Sequence, residues 1–419
     1  MKMEKSLKEH LIDFYLHKSD VFCMMPWVHI HSWPDGRVLP CCLGNTENPL
    51  GHLNESLKGV WNNDAYRLFR QKLLNNISAP EYCQRCYDFD ETGNISLRQH
   101  ANKKFGKYLD AVLDNTAPDG TYREFKVRHI DFRYSNLCNL KCRSCCHELS
   151  SKWYKDTVDL FGDPGVPIVI KPKNQGYMEE VLESLPYVES VYFAGGEPLI
   201  QGEHYFILQK LKEIGKTDVD ITYATNFTTL STKKYDVFKY WEGFKSVDIM
   251  ASLDGSWKRG ELLRKGLDWN SIIENRKKLM QTRPKVEAFT FQVCTTVSAM
   301  NIFHIPDFHR ELIEEGFVEP CHILLNLLTS PEHCCAQILP KEYKERVEKD
   351  YMEFMKKYLS PYPEQYKRYE ALLNFIWEKD LSQHLPRFVK WMKRLDEYRG
   401  ENFVQVFPEW KDVFQKYDN

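Results

Sequence analysis

The chain has no long hydrophobic run: nowhere in its 419 residues does an apolar stretch approach the ~20 residues of a membrane-spanning helix. It has no surplus of charge either. With 57 Lys and Arg against 59 Asp and Glu the net charge is −2, so the total marks neither a nucleic-acid binder nor a membrane-surface protein. No internal repeat or low-complexity tract is present, which argues against solenoids and disordered chains. Residues Met1 to Asp20 are studded with Lys and Glu and lack the ~7 to 15 residue apolar core of a secretion signal. A cytoplasmic protein without a membrane partner is expected.

Cysteine, by contrast, is plentiful. Thirteen thiols in an intracellular chain stay reduced, so clustered spacing points to metal rather than to disulfides. An apolar content of 42% supports a sizeable core, and the length suits two or three domains of ~100 to 200 residues.

Six short apolar runs read as strands: Val127 to Tyr134, Tyr187 to Phe193, Val219 to Thr225, Ser246 to Leu253, Glu287 to Val297 and Cys321 to Leu328. The first alternates Ile130, Phe132 and Tyr134 with Asp131 and Arg133, the period of a pleated strand. Stretches of helical spacing lie between them, at Tyr177 to Leu185, His204 to Ile214, Lys233 to Trp241, Asp268 to Met280 and Ile305 to Glu315. Parallel strands need such crossovers, so the pattern predicts an α/β fold with a parallel sheet curled into a partial (β/α)6 barrel, a flat doubly wound sheet being the alternative.

The expected domains are a cysteine-rich N-terminal module over 1–105, the barrel over 120–340, and a helical C-terminal tail over 341–419. In the tail, Tyr343, Val347, Tyr351, Phe354, Met355 and Tyr358 share one helical face, with no chemistry visible in it. The module shows turn signals at Pro34-Asp35-Gly36 and Leu43-Gly44-Asn45 and a helix-like run from Asp64 to Leu74.

Directly after the first strand, Cys138, Cys142 and Cys145 stand at CxxxCxxC spacing, in the kind of loop where barrel active sites sit. Three thiolates hold three irons of a cubane and leave the fourth open to an external ligand. A zinc site is the alternative, with Cys146 completing a tetrad. From Lys126 to Pro340 the sequence resembles the radical S-adenosylmethionine (SAM) superfamily, whose hallmark is this spacing. Family members commonly carry an aromatic residue where Ser144 stands, which leaves the Ser144 backbone as the expected contact to adenine.

The resemblance implies further cofactor-binding residues at strand ends. Gly195-Gly196-Glu197-Pro198 looks like the family's GGEP motif, which receives the methionine ammonium of SAM; glycines admit close backbone approach and a carboxylate suits an ammonium. Thr225-Asn226 and Ser252-Leu253-Asp254-Gly255 are similar to segments lining the SAM ribose and carboxylate, and Arg264 is a candidate partner for that carboxylate. Thr295-Thr296-Val297 and Asn301 are expected near adenine.

A second constellation is the tetrad Cys23, Cys41, Cys83 and Cys86. Its segments resemble the twitch form of the SPASM extension, which holds an auxiliary 4Fe-4S cluster and in most relatives follows the barrel rather than preceding it. A zinc ribbon is the alternative. Cys42 competes with Cys41, which has the family's GxxxxC spacing from Gly36. His29 and His31 alternate around Ile30 on one face of a strand and are candidates to line the substrate cavity, although satisfied structural histidines are the commoner case. Cys294, Cys321, Cys334 and Cys335 read as small buried hydrophobes.

The resemblance implies reductive cleavage of SAM to a 5′-deoxyadenosyl radical that abstracts hydrogen from a peptide, protein or small-molecule substrate. Electrons would come from a reductant such as flavodoxin or ferredoxin. The rival class is a non-catalytic iron-sulfur or zinc protein of electron transfer or regulation; a cysteine-rich nucleic-acid binder would need a basic groove.

Overall fold

The computed structural model describes residues 2–54, 56–91, 95–173 and 176–417. They form two compact units, each discontinuous in sequence: Met1–Leu137, Gly165–Thr222 and Lys239–Val247 make the first, and Cys138–Pro164, Tyr223–Phe238 and Asp248–Asn419 the second. No helix among the described residues is long and apolar enough to cross a membrane.

All six expected strands form, trimmed at their ends: His129–Phe132, Ser190–Phe193, Asp220–Thr225, Ser246–Ser252, Ala288–Val297 and Ile323–Leu327. Alternation dictates which face each residue takes, so Phe291, Val293, Thr295 and Val297 are buried while the residues between them are not. The helices Tyr177–Ser184, Gly202–Glu213, Val237–Trp241, Trp269–Thr282 and Ile305–Glu314 fall between the strands where spacing placed them.

In the first unit, His129–Phe132 pairs in parallel with Ser190–Phe193 on one side and with His29–Ser32 on the other. Arg37–Leu39 and Gly51–His52 then continue antiparallel from His29–Ser32. The strand face on which His29 and His31 alternate forms as expected, all four residues His-Ile-His-Ser are buried, and they join the cysteine-rich segment to the strand that leads into Cys138. In the second unit Ala288–Val297 and Ile323–Leu327 run parallel in register from Val293↔Ile323 to Val297↔Leu327. A two-residue antiparallel clasp, Lys141–Cys142 on Arg264–Lys265, holds the cysteine loop. Both units are mixed α/β, with parallel pairs joining His29–Ser32, His129–Phe132 and Ser190–Phe193 in the first and Ala288–Val297 and Ile323–Leu327 in the second.

The tail is helical, as expected. Val347, Tyr351, Phe354 and Met355 are buried in an apolar cluster with Phe388, Phe403 and Trp410, and Tyr343, Tyr358 and Cys145 pack against it.

Candidate functional site

Four thiols of the first unit line one cavity. Cys23, Cys41, Cys83 and Cys86 share it with Met25, Pro26, Pro40, Leu43, Phe69 and Tyr82. Local structure explains the convergence: Cys83 and Cys86 are one turn apart on the helix Pro80–Glu91, so they share a face, while Cys41 leaves the strand Arg37–Leu39. Gly36 makes the preceding turn at φ +97, where an added Cβ would meet His52 Cε1 at 2.7 Å. Cys42 is exposed and does not line the cavity.

Burial raises the Cys23 thiol to about 12 and pushes Cys41 well up, the neighbouring thiols adding to the effect at Cys41. Such a set ionises only around a cation, which is the chemistry of a metal site. Among the described residues no three of these sulfurs lie within 4.8 Å of one another. Tetrahedral zinc, with bonds of about 2.3 Å, would draw all four to about 3.8 Å. The larger cradle suits a polynuclear cluster.

In the second unit, Cys138 is buried and Cys142 and Cys145 are half-buried, whereas Cys146 is exposed. Burial and then the thiols of Cys142, Cys146 and Cys138 raise Cys145 well above its ordinary value. The loop is tied at many points. Arg143 N donates to Leu263 O at 2.7 Å, and Trp153 Nε1 donates to Cys142 O at 2.7 Å. Above Cys138, Asn226 Nδ2 donates to Asn139 Oδ1 at 2.8 Å and lies 4.0 Å from Cys138 Sγ, while Asn139 Nδ2 donates to Thr228 Oγ1 at 2.8 Å. The sequence singled out Asn226; its partners Asn139 and Thr228 have no motif of their own.

Arg264 and Asp254, both expected to meet the cofactor, meet each other. Arg264 Nε lies 2.8 Å from Asp254 Oδ2, and Arg264 Nη1 lies 3.9 Å from Cys142 Sγ. Burial works against the Arg264 charge, but the Asp254 carboxylate overcomes it and raises the pKa. Asp254 Oδ1 also accepts from Thr296 N at 2.8 Å, and Asn301 Nδ2 donates to the carbonyls of Asp254 at 3.1 Å and Thr296 at 3.0 Å. Arg264, Asp254, Thr296 and Asn301 are thus one hydrogen-bonded and ionic assembly beside Cys142. Ser252 ends its strand half-buried, and Ser144 is half-buried in the cysteine loop. Asp248, which spacing did not mark, shares the strand face of Ser252, and burial lifts its carboxyl to about 6.

Gly195 to Pro198 belong to the first unit. Gly195 and Gly196 adopt φ +79 and +51, and a Cβ on Gly196 would stand 2.2 Å from Leu137 O, in the residue just before Cys138. Only glycine permits that approach. Glu197 N then donates to Leu137 O at 2.8 Å, and the Glu197 carboxylate accepts from Leu199 N at 3.0 Å to cap the turn Pro198–Ile200. Buried Gln201, unmarked in the sequence, donates to Gly195 O at 2.9 Å.

Gly196→Ala is therefore expected to cost at least about 1 kcal/mol more than Gly215→Ala. Both glycines have positive φ, but nothing lies within 4 Å of a Cβ at Gly215. Denaturant midpoints of the two variants check this, and equal losses would show that the loop relaxes around the methyl.

Residues 23–87 match the family model of SPASM, an iron-sulfur cluster-binding domain. No curated protein matches the chain by sequence. Among solved structures the chain is similar to native anSMEcpe with bound AdoMet and Cp18Cys peptide, at 19% identity and TM-score 0.36 over 58% of this chain and 60% of that one. It is similar also to Streptococcus suis SuiB bound to precursor peptide SuiA, at 15% identity and TM-score 0.37 over 66% and 59%. TYW1 with a lysine-pyruvate adduct bound gives 11% identity and TM-score 0.28 over 55% and 71%. The chain spans about 60% of the length of the first two. The match lies wholly within the cysteine-rich segment and includes Cys23, Cys41, Cys83 and Cys86. With its motifs, the chain resembles radical SAM enzymes that carry such an auxiliary domain.

Proposed function

We propose that the protein is a radical SAM enzyme with two 4Fe-4S clusters, one on Cys138, Cys142 and Cys145 and an auxiliary one on Cys23, Cys41, Cys83 and Cys86. The observation that carries the reading is the pairing of a three-thiol loop with a separate four-thiol cavity that matches an iron-sulfur domain. The proposed organisation is a twitch-like module over 1–105, a partial (β/α)6 barrel over 120–340 and a helical tail over 341–419, in a cytoplasmic protein. Cys138, Cys142 and Cys145 would hold a cluster with one iron free of thiol, which would supply the one-electron reduction that splits SAM into methionine and a 5′-deoxyadenosyl radical able to take hydrogen from substrate.

The chain's own residues position and shield. In this reading the backbone of Gly195, Gly196 and Pro198 with Glu197 receives the methionine ammonium, and Arg264, oriented by Asp254, receives the methionine carboxylate. Asn226 and Ser252 face the ribose, and the Ser144 backbone faces adenine. Asn139 and Thr228 hold Asn226 in place beside Cys138. Cys23, Cys41, Cys83 and Cys86 would close an auxiliary cluster on four thiols, which would suit it to electron transfer or to stiffening the module. The substrate is a peptide, protein or small molecule, and the electron donor a reductant such as flavodoxin or ferredoxin.

The test is anaerobic reconstitution with iron and sulfide, reduction with dithionite in the presence of SAM, and chromatography for 5′-deoxyadenosine. Its formation at the expense of SAM is expected. Two saturated clusters without cleavage would favour the non-catalytic iron-sulfur reading instead.

A further inference from the structure

Among the described residues, one cluster of ligating side chains is assembled outside the cysteines. The parallel register sets His29 against His129 and His31 against Asp131. Pleating therefore puts His29, His31 and Asp131 on one face and Ile30, Ile130 and Phe132 on the other. Ligand atoms of the three polar side chains all lie within 4.8 Å of one another, and the residues are 1%, 0% and 2% exposed.

Their hydrogen bonds fix which atoms remain. His29 Nδ1 meets the His129 carbonyl at 2.9 Å, and a carbonyl only accepts, so Nδ1 carries the proton and Nε2 of the neutral ring keeps its lone pair. His31 Nδ1 and Asp131 Oδ2 face each other 2.8 Å apart, so one divalent ion between them would take the Nδ1 lone pair and that oxygen in place of the shared proton. His29 Nε2 is buried with no hydrogen-bond partner, and buried polar atoms are nearly always satisfied. A cation that takes one ligand atom from each of the three side chains satisfies that lone pair together with the other two.

We propose that His29, His31 and Asp131 bind one divalent transition-metal ion of the zinc class, distinct from both sets of cysteines. Two imidazoles and one carboxylate suit zinc-class ions, and the His29 Nδ1 contact to the His129 carbonyl is the outer bond such a ligand uses. The ion pins the strand His29–Ser32, in the cysteine-rich segment, to His129–Phe132, the strand that leads to the three-cysteine loop. This site does not depend on the chain being a radical SAM enzyme.

The experiment loads the cluster-reconstituted full chain with Zn2+, removes excess on a desalting column, and measures zinc and iron per chain by plasma mass spectrometry. Wild-type protein is expected to keep one zinc per chain. His29→Gln and His31→Ala are expected to lose it at least tenfold with iron unchanged, and Cys83→Ala is expected to keep it. Zinc that persists in both histidine variants, or that disappears with Cys83, overturns the site, as does wild-type protein that retains none. Zinc-edge X-ray absorption of the wild-type chain covers the case in which a buried histidine variant fails to fold. Imidazole scattering is expected there, and its absence refutes the assignment.

Discussion

Cys142→Ala is expected to abolish SAM cleavage, 5′-deoxyadenosine falling at least about a thousandfold, or ~4 kcal/mol of barrier, in anaerobically reconstituted protein. Cys83→Ala is expected to keep partial cleavage and to lose product. The two thiols sit in different units and different environments. Cys142 is held in the clasp with Arg264 and contacts its guanidinium, whereas Cys83 lies on the helix Pro80–Glu91 in the four-thiol cavity. Each variant is expected to drop iron from about eight to about four per chain, so the iron content alone does not separate them. What separates them is whether the remaining iron reacts with SAM. Equal loss of cleavage in both, with the fold intact, would contradict the division of labour proposed for the two cysteine sets.

The sequence reading of the strands succeeded where side chains alternate over many residues. Ala288–Val297 shows its period plainly, and so does the run around Ile130 and Phe132. The alternation of His29 and His31 around Ile30 marked a strand face, but its pairing was not legible, because the neighbours across the sheet, His129 and Asp131, are a hundred residues away. The glycines of Gly195-Gly196 were legible because the steric demand is local, φ being positive at both. Pairing was not: Asp254 and Arg264 each stood out beside a strand end, but that one carboxylate orients the other guanidinium is a fact of packing. The tail's apolar face was readable as a helix that packs, but no chemistry was visible in it, though Asp396 and Glu401 reach into the cysteine loop.

That reach supports the second large effect. Arg143 stands between Cys142 and Cys145, its side chain wholly buried, with Nη2 on Asp396 and, at 2.7 Å, on Glu401. The two carboxylates are 16% and 8% exposed, and Phe403 N and Lys265 Nζ bind their other sides at 2.6 and 2.7 Å. Removing one partner of a buried ionic group leaves the others desolvated and uncompensated, which typically costs about 3 to 5 kcal/mol. Arg143→Met keeps much of the volume and removes the charge, so it is expected to lower stability by about that amount, read from urea midpoints. Lys265 neutralises only part of what remains. The diagnostic is rescue: adding Asp396→Asn and Glu401→Gln removes the orphaned charges and is expected to restore most of the loss, since a buried ionic group replaced whole is often nearly neutral in stability. If the triple variant is no more stable than the single one, Arg143 acts through its packing and not its charge. Iron analysis of the folded fraction ties this to the loop. Because the tail holds Arg143, and Arg143 separates two of the three thiols, the single variant is expected to lose iron from the three-cysteine site while the four-thiol site keeps its own.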